Sequence, residues 1–96
     1  MRPSSVLELH REQVRAIILR HRVLNPRVFG SVAKGTDAEG SDLDVLVDPT
    51  PATTMLDIGA IRHELAQLLG THVDVLTPKA LPDHFRSRVI AEARPL

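Results

Sequence analysis

The sequence has no cysteine, tryptophan or tyrosine, and Phe29 and Phe85 are its only large aromatic residues. Without cysteine, neither a disulfide framework nor a thiolate zinc site is available. Without more rings there is no stacking platform of the kind single-strand nucleic-acid binders use. Net charge is missing too, since twelve Lys and Arg are matched by twelve Asp and Glu. Duplex binding draws on a basic excess because neutralised phosphates release counterions, so direct nucleic-acid binding is disfavoured. No apolar run approaches the ~20 residues of a membrane span, and the first five residues carry no apolar signal core. These absences predict a cytoplasmic protein with no membrane partner.

What remains is a globular composition, 43% apolar and 25% charged, on 96 residues. That length predicts one domain, residues 1–96. Residues 4–21 read as a helix. Ser5 and Glu8 fit a capping box at its start, and Val6, Leu9, Val14, Ile17 and Ile18 form its apolar stripe. Asn25-Pro26 breaks the pattern, and residues 27–29 form a short strand ending at Gly30. Residues 42–48 are the clearest strand, rich in Leu and Val and bounded by Pro49 and Pro51. Met55 to Leu69 repeats Ile58, Ile61, Leu65 and Leu68 at helical spacing, with Gly70 at its left-handed end. Residues 72–77 make a third strand, and Pro82 opens a last helix with Phe85 and Val89 on one face. Helices and strands alternate throughout, which predicts an α/β (α+β) fold with a small mixed β-sheet and helices packed on it.

In a strand, residues two apart share a face. Asp42 and Asp44 therefore point one way while Leu43, Val45 and Val47 point the other. Asp74 follows the same logic in the third strand, and neighbouring strands would bring three carboxylates to one spot. At about 4 Å, two like charges repel by roughly 4 kcal/mol at an effective dielectric of about 20. A divalent cation removes that penalty, and magnesium suits a few carboxylates plus phosphate oxygens. A lone aspartate at a strand end would be read as a turn residue. Two on one face of so apolar a strand, with a third in a segment of the same Asp-Val-Leu spelling, point to a metal site.

Upstream, Gly30-Ser31 closes the first strand and opens a short helix through Lys34. Free amides at a helix start suit phosphate, and glycine lets backbone and ligand approach closely. Lys34 either adds charge to this cradle or is a solvated surface lysine. The segment from Gly30 to Thr36 looks like a P-loop but has Thr36 where the essential lysine must stand, so that reading fails. The dinucleotide fingerprint does not match either. The five histidines, His10, His21, His63, His72 and His84, show no zinc-like pairing and read as surface or structural residues. Asp37 and Glu39 read as solvated loop residues, Asp48 as a helper of the turn at Pro49, and Asp57 and Glu64 as the exposed face of the long helix. Arg86 and Arg88 read as solubilising the last helix.

Ser31, ten intervening residues, then Asp42-Leu43-Asp44 resembles the Gly-Ser-x10-Asp-x-Asp signature of DNA polymerase β-type nucleotidyltransferases. Ser41 matches the Ser-Asp-x-Asp form of small bacterial members. Chain length, element order and the block from Phe29 to Asp48 are most similar to the minimal nucleotidyltransferase (MNT) antitoxins found beside HEPN ribonuclease toxins. One departure is Lys34, where many members carry arginine; the charge stays but the bidentate fork is lost. The resemblance implies a nucleotidyltransferase fold and an enzyme that moves AMP from ATP to a tyrosine of a HEPN-type toxin in a hetero-oligomer. It further implies that Asp42, Asp44 and Asp74 are catalytic and hold two Mg2+ ions. Gly30, Ser31, Lys34 and Ser41 would bind the nucleotide. Two other readings stay in view: an antitoxin that neutralises by contact alone, and a transferase for a small-molecule hydroxyl.

Overall fold

The computed structural model describes residues 1–96. In chain order it contains α1 (Pro3–Leu19), β1 (Val23–Phe29), α2 (Gly30–Lys34), β2 (Leu43–Pro49), α3 (Met55–Leu69), β3 (Val73–Leu76), a 3-10 turn (Pro78–Ala80), α4 (Asp83–Glu92) and β4 (Arg94–Pro95). The sheet order is β3-β2-β1-β4. β1 runs antiparallel to β2 and β4, while β3 runs parallel to β2, so the sheet is mixed as expected. A parallel pair needs a crossover of a dozen or more residues, and α3 supplies it.

One face of the sheet carries the core. Leu43, Val45 and Val47 of β2 and Val73 and Val75 of β3 are buried with Val14 and Ile18 of α1 and Ile61 and Leu65 of α3. On the opposite face Leu46 is also fully buried, where the 3-10 turn lies against β2. No helix is long and apolar enough to cross a membrane.

The long helices differ from expectation in how they are tied down. Helix α1 starts at Pro3, one residue earlier than the spacing suggested, and has no side-chain cap of its own. The Ser4 amide instead donates to Asp37 Oδ2 at 2.8 Å, and Glu8 pairs with Arg11. Asp37 is therefore not solvated but 4% exposed. Burial alone would raise its carboxyl, yet the Ser4 amide and hydroxyl with nearby Arg2 hold it below the usual range. Leu9 is exposed, and Leu7 occupies the core position. The true capping box is at α3, where Thr54 and Asp57 satisfy each other's amides. Glu64 is not free either: it accepts from Arg20 at 2.6 Å and contacts His21 at 2.7 Å, fastening α3 to the end of α1.

Strand β1 begins four residues earlier than expected and passes through Asn25-Pro26. Asn25 takes a left-handed φ of 53°, and the pairing to β2 shifts register between Leu24 and Arg27. Proline lacks an amide to donate, and the irregularity is where a strand tolerates it. Just beyond, the buried Arg27 meets Asp48 at 2.8 Å, so Asp48 serves an ion pair across β1 and β2 rather than the Pro49 turn.

Gly59 is the one glycine inside α3, and a Cβ placed there would meet no atom within 4 Å. A helix-interior glycine costs about 1 kcal/mol relative to alanine because it surrenders more backbone entropy. Gly59→Ala is thus expected to raise the unfolding free energy by about 1 kcal/mol in a urea titration. A neutral or negative change would mean the position is sterically closed.

Candidate active site

The register of β2 and β3 builds the site. Asp44 and Asp74 are direct partners across the parallel pair, one step after Leu43 and Val73. Asp42 lies just ahead of β2, two residues before Asp44, and the same alternation puts it on their face. Like charges this close distort titration. Burial first, then the Asp74 and Asp42 carboxylates, push the Asp44 carboxyl up to about 6 from an ordinary 3.8, with His72 pulling the other way.

His72 was not anticipated at this spot. Its Nδ1 lies 3.3 Å from Asp42 Oδ1, and ligand atoms of Asp42, His72 and Asp74 fall within 4.8 Å of one another. The signal for it was the two-residue spacing to Asp74, which puts both on one strand face. Asp44 stands outside that tight trio. Its carboxylate points instead at Gly30, at the start of α2.

Gly30 is held there for a physical reason. Its φ is +67°, and a Cβ would fall inside the van der Waals radius of Asp44 Oδ2. Only glycine satisfies both conditions. Helix α2 has no side-chain N-cap, which leaves its first amides facing outward beside the carboxylates. An acidic, oxygen-rich donor set next to uncapped amides fits a hard divalent cation carrying phosphate oxygens.

The sequence profile of the nucleotidyltransferase domain matches residues 8–96. This chain belongs to the nucleotidyltransferase domain family. Among curated relatives, a chain assigned as a protein adenylyltransferase in Methanocaldococcus jannaschii is 36% identical over 80% of this chain and 83% of its own. Protein adenylyltransferase MntA of Thermococcus cleftensis is 32% identical over 93% of this chain and 87% of its own. A solved structure described as a minimal nucleotidyltransferase superposes with a TM-score of 0.86 at 40% identity, covering 97% of this chain and 95% of that one. A toxin-antitoxin crystal structure with AMP-PNP shares the fold, with a TM-score of 0.70 at 21% identity over 88% of this chain and 70% of that one.

Within the nucleotidyltransferase, the remaining expected residues take distinct positions. The Ser41 hydroxyl accepts the Ala38 amide at 2.9 Å, closing the turn that delivers the chain into Asp42. Lys34 lies 3.8 Å from Glu92 of α4 and is largely exposed. With Gly30, Phe29, Phe85 and Val89 it lines a cleft of about 290 Å³ beside the α2 amides. Ser31 is part of the first turn of α2, half-buried.

The charge crowding has a sign that can be checked. An acid whose folded pKa is raised holds its proton in the native state at pH values where the unfolded chain has lost it. Stability then falls as pH rises from about 4 through about 6. In chelator-treated protein this fall is expected to shrink in Asp44→Asn, which should melt above the parent at pH 7.5 and level with it near pH 4. Added magnesium should raise the parent's Tm at pH 7.5 by preferential binding to the native state. Equal melting of the two proteins at both pH values would mean that the carboxylates do not converge.

Proposed function

We propose that this chain is a magnesium-dependent protein adenylyltransferase that moves AMP from ATP to a tyrosine hydroxyl of a HEPN-type toxin and thereby acts as its antitoxin. The observation that carries this reading is three carboxylates on one sheet face, Asp42 and Asp74 close together beside His72 and Asp44, the strand partner of Asp74, turned to the Gly30 backbone. Support for a protein acceptor comes from the named adenylyltransferase relatives, and support for a toxin from the toxin-antitoxin neighbour bound to an ATP analogue.

In this reading Asp42, Asp44 and Asp74 hold two magnesium ions. Bound magnesium supplies Lewis acidity and neutralises charge on the triphosphate. The chain's own groups do the positioning. Gly30 and Ser31 present amides and a hydroxyl to the β- and γ-phosphates, with Lys34 adding charge at the cleft edge. Ser41 contributes by fixing the turn before Asp42. Asp74, on the outermost strand, faces the acceptor and takes the proton of its hydroxyl. The acceptor oxygen forms a bond to the α-phosphorus, the α–β phosphoanhydride bond breaks, and pyrophosphate departs. His72 positions the Asp42 carboxylate through its Nδ1, 3.3 Å away.

A partner that neutralised only by contact would gain nothing from placing Asp44 against Asp74, where burial and repulsion disfavour its charge. The cytoplasm, where ATP is available, is the compartment this chemistry requires.

The test is transfer of label from ATP to the product of the neighbouring reading frame in the presence of magnesium. Label should appear on that protein and fall about 100-fold or more in Asp42→Ala/Asp44→Ala, as when a transition state loses a main electrostatic support. Neutralisation of the partner that needs no ATP and survives the double substitution would sink the enzymatic reading.

A further inference from the structure

The open edge of β3 is the least protected part of the sheet. It is the terminal strand in the order β3-β2-β1-β4, and no strand pairs with its outer side. Proteins usually blunt or cover such an edge, because its unpaired amides and carbonyls recruit other chains. Here the edge borders a trough of about 360 Å³ whose walls are Met55, Ile58, Gly59 and Arg62 of α3 and Asp74 to Leu76 of β3. A second hollow continues it past Arg62 toward His63 and His72. The two hollows run along the strand and share Asp74 and His72 with the carboxylate cluster.

Three features of this trough have no role within the chain. Gly59 weakens α3, yet nothing occupies the space its missing side chain leaves. Arg62 forms no ion pair with any of the chain's carboxylates. Met55, in the first turn of α3, is 82% exposed. A bare strand edge takes an extended peptide by main-chain pairing. A glycine notch lets that peptide lie close to the helix. An unpaired arginine calls for an acidic side chain, and the exposed Met55 for an apolar one.

We propose that the trough between α3 and the open edge of β3 receives an extended, acidic segment of the protein acceptor and brings its hydroxyl to Asp74. This rests on the protein-acceptor reading above and adds where the acceptor docks. The nucleotide then enters over α2 and the acceptor from the opposite side of the carboxylates, so the two do not compete for space.

The full chain and its Gly59→Leu, Arg62→Glu and Leu9→Gln variants are mixed with the product of the neighbouring reading frame. Binding is measured calorimetrically without nucleotide, and AMP transfer is measured with ATP and magnesium. Gly59→Leu and Arg62→Glu should each weaken binding by about tenfold or more. Gly59→Leu should raise the acceptor KM while leaving magnesium–ATP binding as in the parent. Leu9→Gln, on the exposed face of α1, should behave as the parent. Parent-like binding by both trough variants, or no binding by the parent itself, would overturn the proposal. Loss of self-association in those variants, with partner binding intact, would also overturn it by assigning the trough to a second copy of the chain. Binding that depends on the trough without any label on the partner would count against the transferase reading alone.

Discussion

The repulsion between Asp44 and Asp74 is the constraint on which the site turns. The two carboxylates are direct partners in a parallel strand pair, and the rigid ladder between them does not let them separate. The core fixes that ladder. Leu43 and Val45 on β2, and Val73 and Val75 on β3, are buried on the opposite face, so a one-residue slip would expose them. Apolar burial on one face thus holds like charges together on the other. The electrostatic cost falls on the half-buried Asp44, whose carboxyl is pushed up to about 6.

Gly30 links this charge cluster to the start of α2. Any side chain there would collide with Asp44, so the backbone amides of α2 come as near to the carboxylates as geometry allows. The carboxylate oxygens and the first amides of α2 are brought together by two short segments, the β1–α2 junction and the start of β2. The rest of the fold anchors those segments. Asp37 ties the loop between them to the start of α1, and the Arg27–Asp48 pair locks β1 to β2 at the far end of the same strands.

The aspartate pair was legible because strand alternation is a local rule, and it put Asp42 and Asp44 on one face before any neighbour was known. That Asp74 would stand opposite Asp44 depended on a parallel register through α3, which spacing along the chain does not encode. His72 was passed over for the same reason: its partner Asp42, just ahead of β2, is distant in sequence. Asp37 and Glu64 read as solvated because their partners, Ser4 on one side and Arg20 with His21 on the other, are distant in sequence. The early start of β1 was hidden by Pro26, whose missing amide falls where the pairing is already irregular. The helices and the first three strands, which rest on local periodicity and on Pro and Gly punctuation, were read in their correct order, while the two-residue β4 after α4 was missed. The N-terminal caps of α1 and α3 were misread, since α1 is tied by a tertiary contact to Asp37, but Gly70 ends α3 in the left-handed conformation as expected.

A structure of the chain crystallised with magnesium and a non-hydrolysable ATP analogue tests the central claim most directly. The account predicts metal density between Asp42, Asp44 and Asp74, with the β- and γ-phosphates on the amides of Gly30 and Ser31. Nucleotide bound elsewhere on the surface, with the three carboxylates still free of metal at saturating magnesium, would contradict it.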